Sequence, residues 1–200
     1  MIWWRKVRTV PLIAAATLGT VVIGLTVGNM ELPIPVLTGQ SGQFLLAHLM
    51  TLIPAITLLY GIGRGTSQTE HVALRNIRSW DSGLGVCIAL AGMLAALAGY
   101  LVFDSELAVV LGRNLAGYVG LALLLHPLLG PQPAGGALAA IPLVLAASGW
   151  RPGGAPEPWA WLLHPADSTI AGITAAGAVC AGAVTTALWS RPPLRITAHL

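Results

Sequence analysis

Residues 83–103 read GLGVCIALAGMLAALAGYLVF, twenty-one residues without a charged side chain. A helix needs about 20 predominantly apolar residues to cross the ~30 Å hydrocarbon core of a bilayer. Five other stretches of the chain have the same apolar character, although the stretch at 133–149 is short. The sequence therefore predicts six membrane spans, at 11–27, 44–62, 83–103, 106–129, 133–149 and 169–189.

The composition supports one all-α, polytopic integral membrane domain over residues 1–200. Hydrophobic residues make up 56% of the chain and charged residues 8%, whereas a soluble domain carries about 25% charged residues. This excludes a soluble enzyme, a disordered chain and a nucleic-acid-binding domain. Cys87 and Cys180 both lie in apolar runs, so we interpret them as small hydrophobic residues and exclude a disulfide scaffold.

The distribution of basic residues predicts the orientation. Cytoplasmic connections of membrane proteins are enriched in Lys and Arg. With an even number of spans, eight of the ten basic residues fall on one side: Arg5, Lys6, Arg8, Arg64, Arg75, Arg78, Arg191 and Arg195. We therefore expect an inner (plasma) membrane protein with both termini in the cytoplasm. The seven tryptophans all fall near predicted span ends, where amphipathic rings are favoured.

The connection between spans two and three has its own pattern. Ser67-Gln68-Thr69-Glu70 fits a capping box, and it predicts a short helix over 69–80. Such a helix could lie on the inner leaflet or dock a cytoplasmic partner, and the sequence leaves both interpretations open. Thr9 is placed to cap span one, and we interpret the small residues of span six as packing inside the bundle.

Arg113 lies seven residues into span four, where a charge requires a partner. The acidic residues predicted on the same side are Asp104, Glu106 and Asp167. The sequence predicts that one of them pairs with Arg113. The alternative is an arginine that snorkels to the interface or has a structural role.

Enzyme and metal signatures are weak. His48 and His126 fall in spans at opposite depths, His164 lies in the outer segment 150–168, and no metal-binding spacing occurs, so we expect no metal site. Ser41 lies in Gly39-Gln40-Ser41-Gly42, a GxSG sequence like that around the serine of rhomboid proteases, and we interpret it as a turn before a helix. No phosphate-binding loop is present. We therefore assign no catalytic residue and expect the chain not to be an enzyme.

The segments Arg113–Gly117 and Trp161–Asp167, together with the six-span plan and the cytoplasmic helix, carry a resemblance. The plan resembles the permease subunit of type V ABC exporters, and more narrowly small six-helix permease-like proteins of high-GC bacteria. The resemblance implies efflux of a small molecule, antibiotic or peptide. It also implies a dimer, either of this chain or with a related permease, in the lipid bilayer.

The resemblance further implies roles for particular residues. Ser67–Asp81 would be a coupling helix seated on a separate ATPase subunit, which would hold the ATP and Mg, while this chain needs no cofactor. The implied coupling residues are Glu70, Arg75, Ile77, Arg78 and Trp80. Spans two and five would line the substrate pathway, with His48, Thr51, Pro54, Thr57 and Pro142 as candidates.

Two other function classes stay open. One is a non-transporting immunity, sensor or assembly protein of the membrane, which would use the same cytoplasmic connection as a binding surface. The other, less favoured, is an intramembrane enzyme that uses Ser41 or the histidines.

Overall fold

The computed structural model of the chain describes residues 2–35, 41–64, 77–151 and 153–188. Over these ranges the protein is predominantly helical, as predicted, with one short β-hairpin. The helices are α1 (Ile2–Val7), α2 (Val10–Val27), α3 (Leu46–Met50), α4 (Leu52–Gly63), α5 (Ile77–Phe103), α6 (Glu106–Leu129), α7 (Pro131–Ser148) and α8 (Thr169–Leu188).

Five stretches of helix are long and apolar enough to cross a membrane, namely Val10–Val27, Leu46–Gly63, Ile77–Phe103, Glu106–Leu129 and Thr169–Leu188. Their outward faces carry large apolar side chains. On α5, Leu94, Leu101 and Phe103 are exposed by 65%, 73% and 70%. Extensive apolar surface is rare on soluble monomers. These faces therefore fit a lipid environment, and the protein has the helices of an integral membrane protein.

The observed boundaries agree closely with those predicted for most spans. Helix α6 begins at Glu106 and ends at Leu129, as predicted, and α8 begins at Thr169, as predicted for span six. Helix α5 differs, because it begins at Ile77, six residues before the predicted span. Its 27 residues extend over ~40 Å. Asp81 is accommodated inside the helix because its carboxylate is paired with Arg8.

Helix α7 corresponds to the predicted fifth span but is not among the five stretches that meet the length and apolarity criteria. It starts beside Gly63, which packs against Pro131, and it ends beside Leu163, which packs against Gly149. Helix α7 thus runs between the same two ends of the bundle as its neighbours. Pro142 lies inside this helix without ending it.

The second span is interrupted at Thr51, between α3 and α4. Proline removes a backbone donor, and its ring clashes with the carbonyl group four residues earlier, so Pro54 disfavours regular helix at Met50. The Thr51 hydroxyl donates to the His48 carbonyl at 2.9 Å, and the Thr57 hydroxyl donates to the Pro54 carbonyl at 2.9 Å. These bonds stabilise the irregular backbone of the span.

Helix α6 is the centre of the bundle. Of the 18 most apolar consecutive residues of α6, 83% are buried. In the corresponding stretches of the other four candidate spans, 22–50% of the residues are buried. Helices α2, α4, α5, α7 and α8 all pack against it. Glycines allow this close approach, since Gly112 faces Ala96 of α5 and Gly120 faces the backbone of α8. The predicted packing of the small residues of α8 inside the bundle is confirmed for one face only. Ala171, Ala175 and Gly182 are buried, whereas Gly172, Ala176, Gly177 and Ala181 are exposed.

A two-stranded hairpin precedes the second span. Strands β1 (Glu31–Pro35) and β2 (Ser41–Leu45) are antiparallel, with Glu31 opposite Leu45 and Pro35 opposite Ser41. The prediction of a simple turn leading into a helix was therefore wrong for Ser41 and Gly42, which lie in β2. Prolines are tolerated in β1 because both strands of a two-stranded sheet are edge strands.

Candidate functional site

Buried polar contacts occur at both ends of the bundle. We call the end that holds α1 the basic end and the end that holds the 150–168 segment the opposite end. At the basic end, Arg8 is 2% exposed. Its Nε and Nη2 atoms donate to the two carboxylate oxygens of Asp81 at 2.9 and 2.7 Å. Its Nη1 atom donates to the carbonyl oxygen of Ile62 at 2.7 Å. We call this set of contacts the Arg8 junction.

Local structure positions Arg8 for these contacts. Thr9 adopts a left-handed backbone conformation, with φ of 50°, which turns the chain between α1 and α2. Its side chain makes no capping hydrogen bond, so the prediction that Thr9 caps the first span was wrong. Gly61 lies directly against the Arg8 carbonyl, where a side chain would clash. The Trp4 indole N–H adds a bond of 3.1 Å to Asp81 Oδ1.

The Arg8 junction joins three parts of the chain that are distant in sequence. Ile62 lies at the end of α4, Asp81 lies in the second turn of α5, and Arg8 connects α1 to α2. In the sequence, the connection between spans two and three follows Ile62 and precedes Asp81. A single guanidinium group therefore holds both ends of that connection to the N-terminal segment.

A second polar cluster joins α6 to the 150–168 segment. Arg113 Nη2 and Nη1 donate to the carbonyl oxygens of His164 and Pro165, each at 2.7 Å, and its Nε donates to Asn114 Oδ1 at 3.2 Å. The Asn114 side-chain amide donates to the carbonyl oxygen of Leu162 at 3.2 Å. Two adjacent residues of the central helix thus bind three carbonyl groups of the segment.

Aromatic packing extends this contact by one helical turn. The Trp161 ring lies against Gly117, where a methyl group would overlap it. The ring also packs edge-to-face on Tyr118, with centroids 5.7 Å apart. Arg113, Asn114, Gly117 and Tyr118 therefore share one face of α6. The two segments that carry the resemblance, 113–117 and 161–167, are brought into direct contact.

The partners of Arg113 differ from those predicted. Asp104, Glu106 and Asp167 are exposed, whereas Arg113 is 7% exposed. Among the residues that the structure describes, no carboxylate lies within ion-pair distance of Arg113. Backbone carbonyls take its place, which is a recognised way to accommodate an intramembrane charge. The contacts fit the structural alternative for Arg113.

His164 is held by its ring as well as by its carbonyl group. Nε2 lies 3.1 Å from the Glu157 carbonyl oxygen, and Nδ1 lies 3.2 Å from the Ser168 hydroxyl. A carbonyl only accepts, so Nε2 carries a proton. The Ser168 oxygen also lies 3.4 Å from the Ala171 backbone nitrogen, at the start of α8. The arrangement is that of a helix cap that fixes the start of α8.

The predicted pathway residues lie in two helical spans. His48 and Thr51 are 5% and 0% exposed, Pro54 is buried, and Thr57 is half-buried. Helix α3, which holds His48, packs against α6, so the second span borders the central helix. Pro142 is buried on α7. Helix α4 packs against both α6 and α7.

The predicted coupling residues are only partly described. Glu70 and Arg75, and most of the predicted helix, lie outside the described residues. Ile77, Arg78 and Trp80 lie in the first turn of α5. Trp80 is 42% exposed and packs edge-to-face on Trp4, with centroids 5.8 Å apart. These three residues thus belong to the start of a long apolar helix, where Trp80 contacts Trp4 of α1.

The enzyme hypothesis receives no site from the described part of the chain. Across 2–35, 41–64, 77–151 and 153–188, His, Cys, Asp and Glu side chains form no group of three that could hold a metal ion. His48 and His164 take part in separate contacts, and Ser41 lies in β2. Cys87 and Cys180 are free and exposed on the outer faces of α5 and α8.

Sequence reasoning missed two features of these clusters. Asp81 was included in the coupling segment but was not paired with Arg8, although it lies two residues before a predicted span. The carbonyl partners of Arg113 carry no sequence signal beyond the prolines and the aromatic residues around them. No protein-family model matches the chain, and no curated protein or solved structure matches it either.

Proposed function

We propose that the protein is the membrane subunit of an ABC-type exporter, with ATP hydrolysis in a separate cytoplasmic subunit. The observation that carries the proposal is the Arg8 junction. An ATP-driven exporter needs a rigid link between the cytoplasmic surface that meets the ATPase and the helices that move. Arg8 provides such a link, because it binds Ile62 and Asp81 on either side of the connection between spans two and three.

We infer six crossings, with both termini in the cytoplasm. Helix α7 is the sixth crossing in this arrangement, in addition to the five helical stretches that are long and apolar enough to cross a membrane. Its start packs beside Gly63 at the basic end, and its end packs beside Leu163, close to the carbonyls that bind Arg113. Its 18 residues extend over ~27 Å, close to the thickness of the hydrocarbon core. The excess of basic residues at the basic end supports the cytoplasmic orientation.

The irregular helices suggest where movement would occur. The interrupted second span and the proline-containing α7 border the central helix, and broken helices are common at transporter sites. His48, Thr51, Pro54, Thr57 and Pro142 stay the pathway candidates. A substrate would pass between two copies of the chain, or between this chain and a related permease. Helix α6 and the 150–168 segment would form the rigid part of each half.

Co-purification tests the proposal. A tagged chain is purified in mild detergent after crosslinking in the membrane, and the co-purifying proteins are identified by mass spectrometry. We expect an ATPase subunit in stoichiometric amount, and we expect ATP hydrolysis by the complex. A chain that is crosslinked only to itself would contradict the exporter. An equimolar partner without an ATPase fold would favour the immunity, sensor or assembly alternative.

A further inference from the structure

The basic end of the bundle gathers exposed or half-buried cations from three chain segments. Arg5 and Lys6 lie three and two residues before Arg8, Arg64 lies two residues after Ile62, and Arg78 lies three residues before Asp81. Consecutive Cα atoms are 3.8 Å apart, so each cation starts within about 11 Å of a residue of the Arg8 junction. The junction therefore concentrates positive charge that is dispersed in the sequence.

This positive charge is not neutralised by the described part of the chain. Arg5, Lys6 and Arg64 are exposed, and Arg78 is half-buried. Asp81 is the described acidic residue at this end, and its carboxylate is buried against Arg8 with 5% exposure. The other described acidic side chains, Asp104, Glu106, Glu157 and Asp167, belong to segments at the opposite end.

Exposed aromatic rings place these cations at the level of lipid headgroups. Trp80 lies at the end of the outward face of α5, which continues through Leu90 and Leu94, both exposed by at least half. Tyr60 is 56% exposed, and the guanidinium of Arg64 lies 5.6 Å above its ring. Trp and Tyr favour the membrane interface. The basic end thus combines interfacial rings with cations that no described acidic side chain neutralises.

We propose that the basic end binds the headgroups of anionic phospholipids such as phosphatidylglycerol. Basic clusters between or beside membrane helices on the cytoplasmic side attract anionic headgroups. The continuity of Trp80 with the lipid-facing stripe of α5 favours a lipid over an acidic protein segment. This inference does not rest on the exporter proposal, because it depends only on the surface that α1, α4 and α5 present.

Native mass spectrometry tests the proposal on the purified full chain. The protein is mixed in detergent with equal amounts of phosphatidylglycerol and phosphatidylcholine, and the lipid adducts are compared. We expect preferential phosphatidylglycerol adducts on the natural chain. Each charge removed lowers binding about five-fold, so R5Q/K6Q reduces the preference about 25-fold. The matched variant R5K/K6R keeps both charges and retains the preference.

Two further variants keep the test decisive where R5Q/K6Q does not fold. R64Q removes a cation from a different segment and lowers the preference about five-fold, whereas R151Q removes an exposed cation at the opposite end and leaves it unchanged. Equal adducts of the two lipids on the natural chain would overturn the proposal, as would an undiminished preference in folded R5Q/K6Q. Loss of the adducts on adding glycerol phosphate would show a free-phosphate site and would also overturn it.

Discussion

Arg8 and Asp81, 73 positions apart in the chain, form a bidentate ion pair, with Nε 2.9 Å from Oδ1 and Nη2 2.7 Å from Oδ2. Their side chains are 2% and 5% exposed. In this geometry the planar guanidinium group matches both carboxylate oxygens, and its remaining contacts reach Ile62. The pair therefore holds α1, α4 and α5 at one point.

Removing one member of the pair leaves a buried, unpaired charge. We expect D81A to lower the free energy of unfolding by about 3–5 kcal/mol, as for other broken buried pairs. R8M/D81A removes both charges and should recover much of that loss. Thermal unfolding in detergent measures both effects.

The matched control is E157A, which breaks the Arg151–Glu157 pair at the opposite end. Those side chains are 50% and 30% exposed, and pairs of this kind contribute about 0–1 kcal/mol. Equal unfolding temperatures for D81A and E157A would mean that the Arg8 junction adds little to stability.

Arg113 makes a second prediction, about the 150–168 segment. Lysine lacks the fork that reaches the carbonyls of His164 and Pro165 together, so R113K should loosen the segment and R113A should loosen it further. Hydrogen exchange measured by mass spectrometry should show faster exchange over 160–168 in both variants. The start of α5, at the other end of the bundle, serves as the internal control.

A function or assembly defect should accompany faster exchange in R113A. If R113A matches the natural chain in exchange, assembly and activity, Arg113 merely snorkels, and the contacts with His164 and Pro165 contribute little.

The sequence alone was enough to predict the five long apolar helices of the described residues but not the polar contacts that join them. Length and apolarity determine α6 and α8 because a bilayer constrains both quantities. Asp81 and the carbonyls at 162–165 are different, since their contacts depend on how segments far apart in sequence meet. The β-hairpin has a weak sequence signal, because the two prolines in Glu31–Pro35 are unfavourable for a strand.

Gly117 gives a third prediction, about packing. A methyl group at Gly117 would overlap the Trp161 ring, so G117A should destabilise the protein by about 1–3 kcal/mol, as overpacking does. Gly172 is a matched control on α8, because nothing lies within 4 Å of a Cβ added there.

G172A should be neutral or stabilise the helix by up to about 1 kcal/mol. Thermal unfolding of both variants checks the pair. If G117A is as stable as G172A, the ring of Trp161 can move away, and the contact between α6 and the 150–168 segment is looser than the structure indicates.

A fourth prediction concerns the crossing of α7. In a background without Cys87 and Cys180, single cysteines at Gly135 and Ala155 should react with a membrane-impermeant maleimide from opposite sides. Gly135 has open surroundings and Ala155 is exposed, so the substitutions introduce no clash. Labelling of both from the same side would contradict the six-span arrangement, and a cysteine at Ser190 then reports on which side the chain ends.

The last prediction separates attachment to an ATPase from insertion into the membrane. Arg78 lies in the first turn of α5, three residues before Asp81, and Arg75 lies just outside the described residues. Neither substitution changes a residue of the Arg8 junction, and Arg78 donates none of the hydrogen bonds given above for it, so R75E/R78E leaves Arg8, Asp81 and Ile62 in place. We expect the variant to insert normally, to unfold at the same temperature as the natural chain, and to lose the co-purifying ATPase and transport.

R151E reverses a charge at the opposite end and should keep both the co-purifying ATPase and transport. Full transport by R75E/R78E would show that the connection between spans two and three does not couple to an ATPase.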